Sequence, residues 1–246
     1  PQLLAHRSVN YTDLKYGIQL VMWGYFKKLV IADRCAVLVN TVMDDPWSYS
    51  GSVLAFAIFF YCIQLYGDFS GGIDMVLGVA RLFGIQMSPN FRQPYFATSL
   101  ADFWRRWHIS LSSWLRDYLY ISLGGNRRGR VRQYVNLLLT MVLGGLWHGA
   151  AVRFVLWGAL HGVALCLHKL AMKIFPSMKP VGEEMTPWRR ALGIFLTFNF
   201  VCLCWVFFRA ESIDKAWFML QRVFTDFQWE VIPQFIEGYK WVFLMI

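Results

Sequence analysis

Two histidines in this chain stand where an ionisable side chain is least expected. His148 lies in LGGLWHGA at 143–150, within a stretch from 133 to 152 that holds no Asp, Glu, Lys or Arg. Arg132 and Arg153 bound that stretch of twenty residues. At ~1.5 Å rise per residue it matches the ~30 Å hydrocarbon core of a bilayer. Ionisable groups at such depth are rare and mark functional sites. A desolvated imidazole stays neutral, since burial disfavours its charged form, and a neutral imidazole in a dry site is a competent general base. Trp147 and the glycine pair before it support that reading of His148. His161 shares the frame, because GLWHG at 145–149 and GALHG at 158–162 each set a histidine before the second glycine of a small-xxx-small pattern. For His161 packing is the simpler role, with the imidazole donating one hydrogen bond to a neighbour.

A second constellation is DFWRRWHISLSSWLRDYLY at 102–120. At helical spacing Trp104, Trp107, His108, Leu111, Leu115 and Tyr118 share a face, and Arg105, Ser112 and Arg116 lie away from it. Asp102 and Arg106 form an i,i+4 pair. Either this is an interfacial amphipathic helix, or His108 faces a protein-lined cavity while Arg105 and Arg106 attract an anionic donor such as a CoA thioester. A third, YGDFSGGID at 66–74, sets Asp68 and Asp74 around a glycine pair. Their spacing suits capping by Asp68 or Ser70 and one buried hydrogen bond from Asp74 better than acid/base work. No metal-ligand spacing, nucleophile elbow, phosphate loop or dinucleotide fingerprint is present.

The elements that must hold these residues are read from hydropathy. The 246 residues are 57% hydrophobic and 18% aromatic, with mean hydropathy +0.40 and 16% charged. Soluble domains carry about 25% charged residues, so the composition indicates a polytopic all-α membrane protein. The net charge of +9 sits in clusters at 127–132, 169–173 and 189–190, the pattern of cytoplasmic loops and not of a nucleic-acid face. Spans are predicted at 46–67, 133–152 and 191–208. The segment 16–32 is interrupted by Lys27 and Lys28, so it is either a snorkelling span or a tilted, partly protein-facing helix. The segment 154–168 is short and is broken, re-entrant or extended by its basic flanks. From 68 to 132 the charge and aromatic content predict short interfacial or cavity-lining helices. Loops 125–132 and 169–190 are expected in the cytoplasm, with Arg153 and an interfacial 209–238 segment outside. The five cysteines read as small buried apolar residues. Residues 1–246 are expected to form the central to C-terminal part of one membrane domain, as an internal piece of a longer chain.

Taken in order, YGDFSGGIDMVLGVARLFGI, NFRQPYFATSLADFWRRWHISLSSWLRDYLYISLGGNRRG and GGLWHGAAVRFVLWGALHG resemble the membrane-bound O-acyltransferase family, in particular its bacterial alginate O-acetyltransferase branch. The resemblance is strong over about residues 11–170 and looser beyond. It implies a multi-helix bundle around a central cavity reached from the cytoplasm by an acyl thioester, acetyl-CoA or an acyl carrier, with no tightly bound cofactor and no metal. It also implies a multi-pass place in the bacterial inner membrane, and a periplasmic or extracellular acetyltransferase partner acting on a polysaccharide. The family's signature histidine in WHG falls on His148 and a second, in RRWH, on His108. His148 would then activate an acceptor hydroxyl, with His108 orienting the donor or assisting proton movement; an acyl-enzyme on histidine is the other route.

Two other classes compete. A proton pathway would use intramembrane histidines as relays, but favours acidic carriers within spans and paired broken helices. The three predicted spans contain no Asp or Glu and no repeat is visible. A scaffold holding a partner acyltransferase would leave His148 dispensable.

Overall fold

Every regular element among the described residues, 10–175 and 185–244 of this computed structural model, is helical. Contacts gather the chain into two units, residues 1–90 with 217–246, and residues 91–216.

In the first unit the Asn10 side chain accepts from the backbone N–H of Asp13 at 2.7 Å and starts α1 (Tyr11–Tyr25). A π-helical turn (Phe26–Ala32), α2 (Asp33–Asp44) and α3 (Gly51–Leu82) follow. Gly17 and Gly24 on α1 meet Gly78 and Gly71 on α3. A Cβ added at Gly24 would fall 2.6 Å from the Gly71 carbonyl oxygen, and one at Gly78 2.6 Å from that of Gly17. Two glycine pairs seven residues apart thus bring antiparallel backbones into contact. Beyond this crossing the π turn widens the helix and directs Lys27 inward. Its Nζ lies 2.6 Å from Asp74 Oδ2 and donates to Ser70 Oγ at 3.0 Å. Lys28 bridges Asp33 at 2.9 Å and Asp68 at 2.7 Å. The 16–32 segment therefore faces protein in part, with Lys27 turned inward while Met22, Trp23 and Leu29 remain exposed. On α2, Cys35, Leu38, Val39, Val42 and Met43 form the buried stripe.

This geometry corrects one sequence expectation. The chain does not break up at Asp68, because α3 continues to Leu82. Asp68 and Ser70 lie inside that helix and cap nothing; their polarity is met by the two lysines. The expected buried bond of Asp74 is an ion pair. Residues 217–244 complete this unit with the rest of α9 (Ile213–Thr225), then α10 (Val231–Gly238) and α11 (Lys240–Leu244).

In the second unit the chain does break into short pieces, α4 (Leu100–Arg106), α5 (Ile109–Trp114) and a π-helical turn (Leu115–Tyr120). A glycine-rich turn leads into α6 (Arg130–Trp147). There Gly125 adopts φ +51° and its carbonyl accepts from buried Asn136 Nδ2 at 3.1 Å. α6 turns at 148–151 into α7 (Val152–Ile174), and α8 (Pro187–Arg209) packs beside it. The segment 154–168 is thus extended by its basic flanks into one unbroken helix. The α6–α7 crossing is closer still than α1–α3. A Cβ at Gly145 would fall 2.2 Å from the Phe154 carbonyl oxygen, and one at Gly158 2.3 Å from that of Met141. Among the described residues three helices are long and apolar enough to cross a membrane by length and composition, α3, α7 and α8. The 133–152 run is not one helix, since α6 ends at Trp147 and the last five residues form the turn into α7 and its first residue. Of the loop expected at 169–190, residues 176–184 lie outside the described residues.

Candidate active site

His148 is the first residue past α6, its backbone N–H donating to the Gly145 carbonyl at 3.0 Å. It therefore sits at a helix end and not mid-span. The glycine crossing just before it lets α7 return in close contact with α6. The ring is half-buried and stands edge-on to Trp147, Trp157 and Phe208, with centroids at 5.0, 5.4 and 5.1 Å, and 6.4 Å from Phe154. Arg153 holds this shell. Its guanidinium lies 4.7 Å over the Phe154 ring and donates to the Ala210 carbonyl at the end of α8. Among the described residues neither nitrogen of His148 has a hydrogen-bond partner. An imidazole walled by rings with its nitrogens unused is free to exchange a proton with a substrate.

His108 reaches the same neighbourhood by a different route. Ser99 caps α4 by accepting from the Asp102 N–H at 3.2 Å, while the Asp102 carboxylate takes Arg106 Nε at 2.9 Å and the Thr98 N–H at 3.3 Å. Trp107 is buried against Phe91, Phe103 and Trp205. That anchor ends α4, and His108 takes φ 43°, ψ 57°, left-handed backbone that costs a non-glycine residue about 1–2 kcal/mol. The single 102–120 helix is thus corrected to two helices with His108 at the break, and the proposed common face dissolves. Ser112 Oγ donates back to the Trp107 carbonyl at 3.1 Å, and Ser110 Oγ stands 3.5 Å from His108 Nδ1. Burial pushes the His108 imidazole below the ordinary histidine range. With Leu111, Trp114 and Trp147 it lines a cavity of about 370 Å3. Trp147 thereby touches one histidine and shares a cavity with the other. The two imidazoles lie within electrostatic reach of each other.

The other candidates divide. Asp102 and Arg106 are spent on each other at the start of this corner, and Arg105 is 74% exposed, 3.9 Å from Asp102. His161 is fully buried against Trp104, Trp157 and Phe200, and neither ring nitrogen has a partner, so the hydrogen bond expected of it is absent among the described residues. Asp68 and Asp74 belong to the first unit and are paired there. No cluster of metal-ligating side chains occurs among the described residues, and none of the five cysteines is in a disulfide.

Sequence reasoning missed most of the shell. Phe208 stands sixty residues from His148, and no periodicity connects them. It also missed a second cavity of about 340 Å3, with Trp104, Leu115, Met141 and Leu165 along its apolar wall and Arg116, Tyr120, Asn126 and Lys169 at its polar side. Aromatic and charged residues on three separate elements give no local signal.

A half-buried histidine pair thus sits beside a cavity, on a helical scaffold that includes helices long and apolar enough to cross a membrane. The chain belongs to the membrane-bound O-acyltransferase family, whose profile matches residues 4–208. It is 43% identical over 233 residues to a probable alginate O-acetylase of Pseudomonas syringae pv. tomato, covering 92% of this chain and 42% of that protein. It is 41% identical to the peptidoglycan O-acetyltransferase of Helicobacter pylori, over 86% of this chain and 39% of that one. The teichoic acid D-alanyltransferase of Streptococcus thermophilus is 28% identical, over 88% of this chain and 56% of the relative. The chain spans less than half the length of the first two relatives.

Proposed function

We propose that this chain carries the transfer site of a multi-pass enzyme of the bacterial inner membrane that moves an acyl group, most simply acetyl, from a thioester toward hydroxyls of a cell-surface polysaccharide. The observation that carries the reading is the His148–Trp147–His108 corner, where His148, with no hydrogen-bond partner among the described residues, sits in an aromatic shell beside an open cavity. His148 takes the proton of the acceptor hydroxyl as its oxygen attacks the thioester carbonyl. As the tetrahedral intermediate collapses the C–S bond breaks, and the departing thiolate recovers the proton from the imidazolium. His108, kept neutral by burial, orients the donor or passes the proton on. The donor is acetyl-CoA or an acylated carrier. The cavity behind Trp104 suits a slender acyl-thioester arm, and the cationic Arg116 and Lys169 suit its anionic handle. A periplasmic or extracellular acetyltransferase completes delivery to the polymer. The names of the relatives support a surface polymer as destination.

The test is transfer of label from an acetyl thioester to an oligosaccharide by the full-length protein in nanodiscs. Wild type is expected to acetylate the acceptor and His148→Gln to leave it unlabelled. Equal labelling by both proteins would leave this chain a scaffold.

A further inference from the structure

A groove on the exposed side of the α6–α7 hairpin has two chemically different halves that meet at Tyr134. One, of about 320 Å3, is walled by apolar side chains that include Leu138, Val163 and Leu167. The other, of about 310 Å3, holds Arg130 at the start of α6 with Lys169 and Lys173 one turn apart at the end of α7. Cys166 Sγ donates to the Tyr134 carbonyl at 3.6 Å and fixes the junction. Among the described residues none of the three cations makes an ion pair, and residues 127–173 include no Asp or Glu. All three lie at the opposite end of the hairpin from His148.

A soluble anion would use only the cationic half. The apolar half, with Val163 47% and Leu167 60% exposed, runs along a helix long and apolar enough to cross a membrane, so its natural occupant is a hydrocarbon chain. Uncompensated basic side chains at the end of such helices attract anionic headgroups. We propose that this groove binds an anionic phospholipid, its phosphate among Arg130, Lys169 and Lys173 and one acyl chain laid past Tyr134 between Leu138 and Leu167. The groove shares Lys169 with the cavity behind Trp104, so its test varies Arg130 and Lys173 instead and does not read activity.

Full-length protein is extracted from vesicles of equal phosphatidylglycerol and phosphatidylcholine, and retained lipid is counted by native mass spectrometry. Wild type is expected to retain phosphatidylglycerol selectively. Arg130→Gln with Lys173→Gln should lower that retention roughly 30-fold, the loss of two charges near an anionic headgroup. Arg132→Gln, outside the groove, should retain lipid as wild type does. Val163→Trp, which fills the apolar half and leaves every charge in place, should also expel the lipid. Equal retention of the two lipids, full retention by the double variant, or displacement of phosphatidylglycerol by coenzyme A would overturn the proposal, the last by making the cationic half a seat for a soluble donor.

Discussion

His148→Phe separates chemistry from packing better than truncation does. Replacing the imidazole by alanine removes three edge-on ring contacts, to Trp147, Trp157 and Phe208. At about 0.5–1.5 kcal/mol per aromatic pair, truncation costs roughly 2–4 kcal/mol. That is enough to confuse an inactive enzyme with an unfolded one. Phenylalanine keeps a ring in the shell and forfeits no hydrogen bond, because His148 has none among the described residues. The ring is half-buried and has room to shift, so the stability change should stay within ~1 kcal/mol. A general base contributes about 10²–10⁴-fold in rate, or roughly 3–5 kcal/mol of barrier. Acetyl transfer by the full-length protein should therefore fall at least about 100-fold, while its Tm in the same nanodiscs stays near wild type. Activity within tenfold of wild type at an unchanged Tm would remove proton abstraction by His148 from the mechanism. Direct transfer further predicts no label on wild-type protein when the acceptor is withheld; a trapped acyl-imidazole would establish the covalent route.

Exchanging His161 for leucine should leave Tm unchanged or higher, because a buried imidazole without partners is replaced by an apolar side chain of similar volume; a marked fall in the thermal scan would reveal a partner for its nitrogens. Gly158→Ala should prevent recovery of folded protein by gel filtration, since its Cβ would fall 2.3 Å from the Met141 carbonyl oxygen, which the backbone cannot yield; recovery in wild-type yield would show that the two helices separate. Asp74→Asn should cost about 3–5 kcal/mol by stranding the mostly buried Lys27 ammonium, and adding Lys27→Met should restore part of the loss; additive losses in the double variant would count against the ion pair as the cause. On the proposed orientation, a cysteine placed at Arg128 in a cysteine-free background should resist an impermeant thiol reagent in intact cells, and one at Ile213 should react; the reverse pattern would invert the topology.

How far the sequence reaches follows from how local each cause is. Helical class and the core of α8 were legible because twenty or so apolar residues leave the backbone few choices in lipid. His148 and His108 stood out as ionisable groups among apolar or aromatic neighbours, and the glycine frame of α6 and α7 was readable because small residues at helical spacing serve one purpose. The family resemblance was likewise carried by contiguous residues. The continuation of α3 through Asp68 and Asp74 was not legible. Two aspartates look like a reason to leave the membrane until Lys27 and Lys28 arrive from another helix to neutralise them. The break at His108 depends on Trp107 being gripped by Phe91 and Trp205 from two other segments, which the 102–120 pattern does not contain. So it is with the shell of His148. Phe208 comes to it only because α8 packs beside α7, with Arg153 tied to the carbonyl that ends α8. Sequence named the two imidazoles; tertiary packing alone decided that Trp147 would touch one of them and share a cavity with the other.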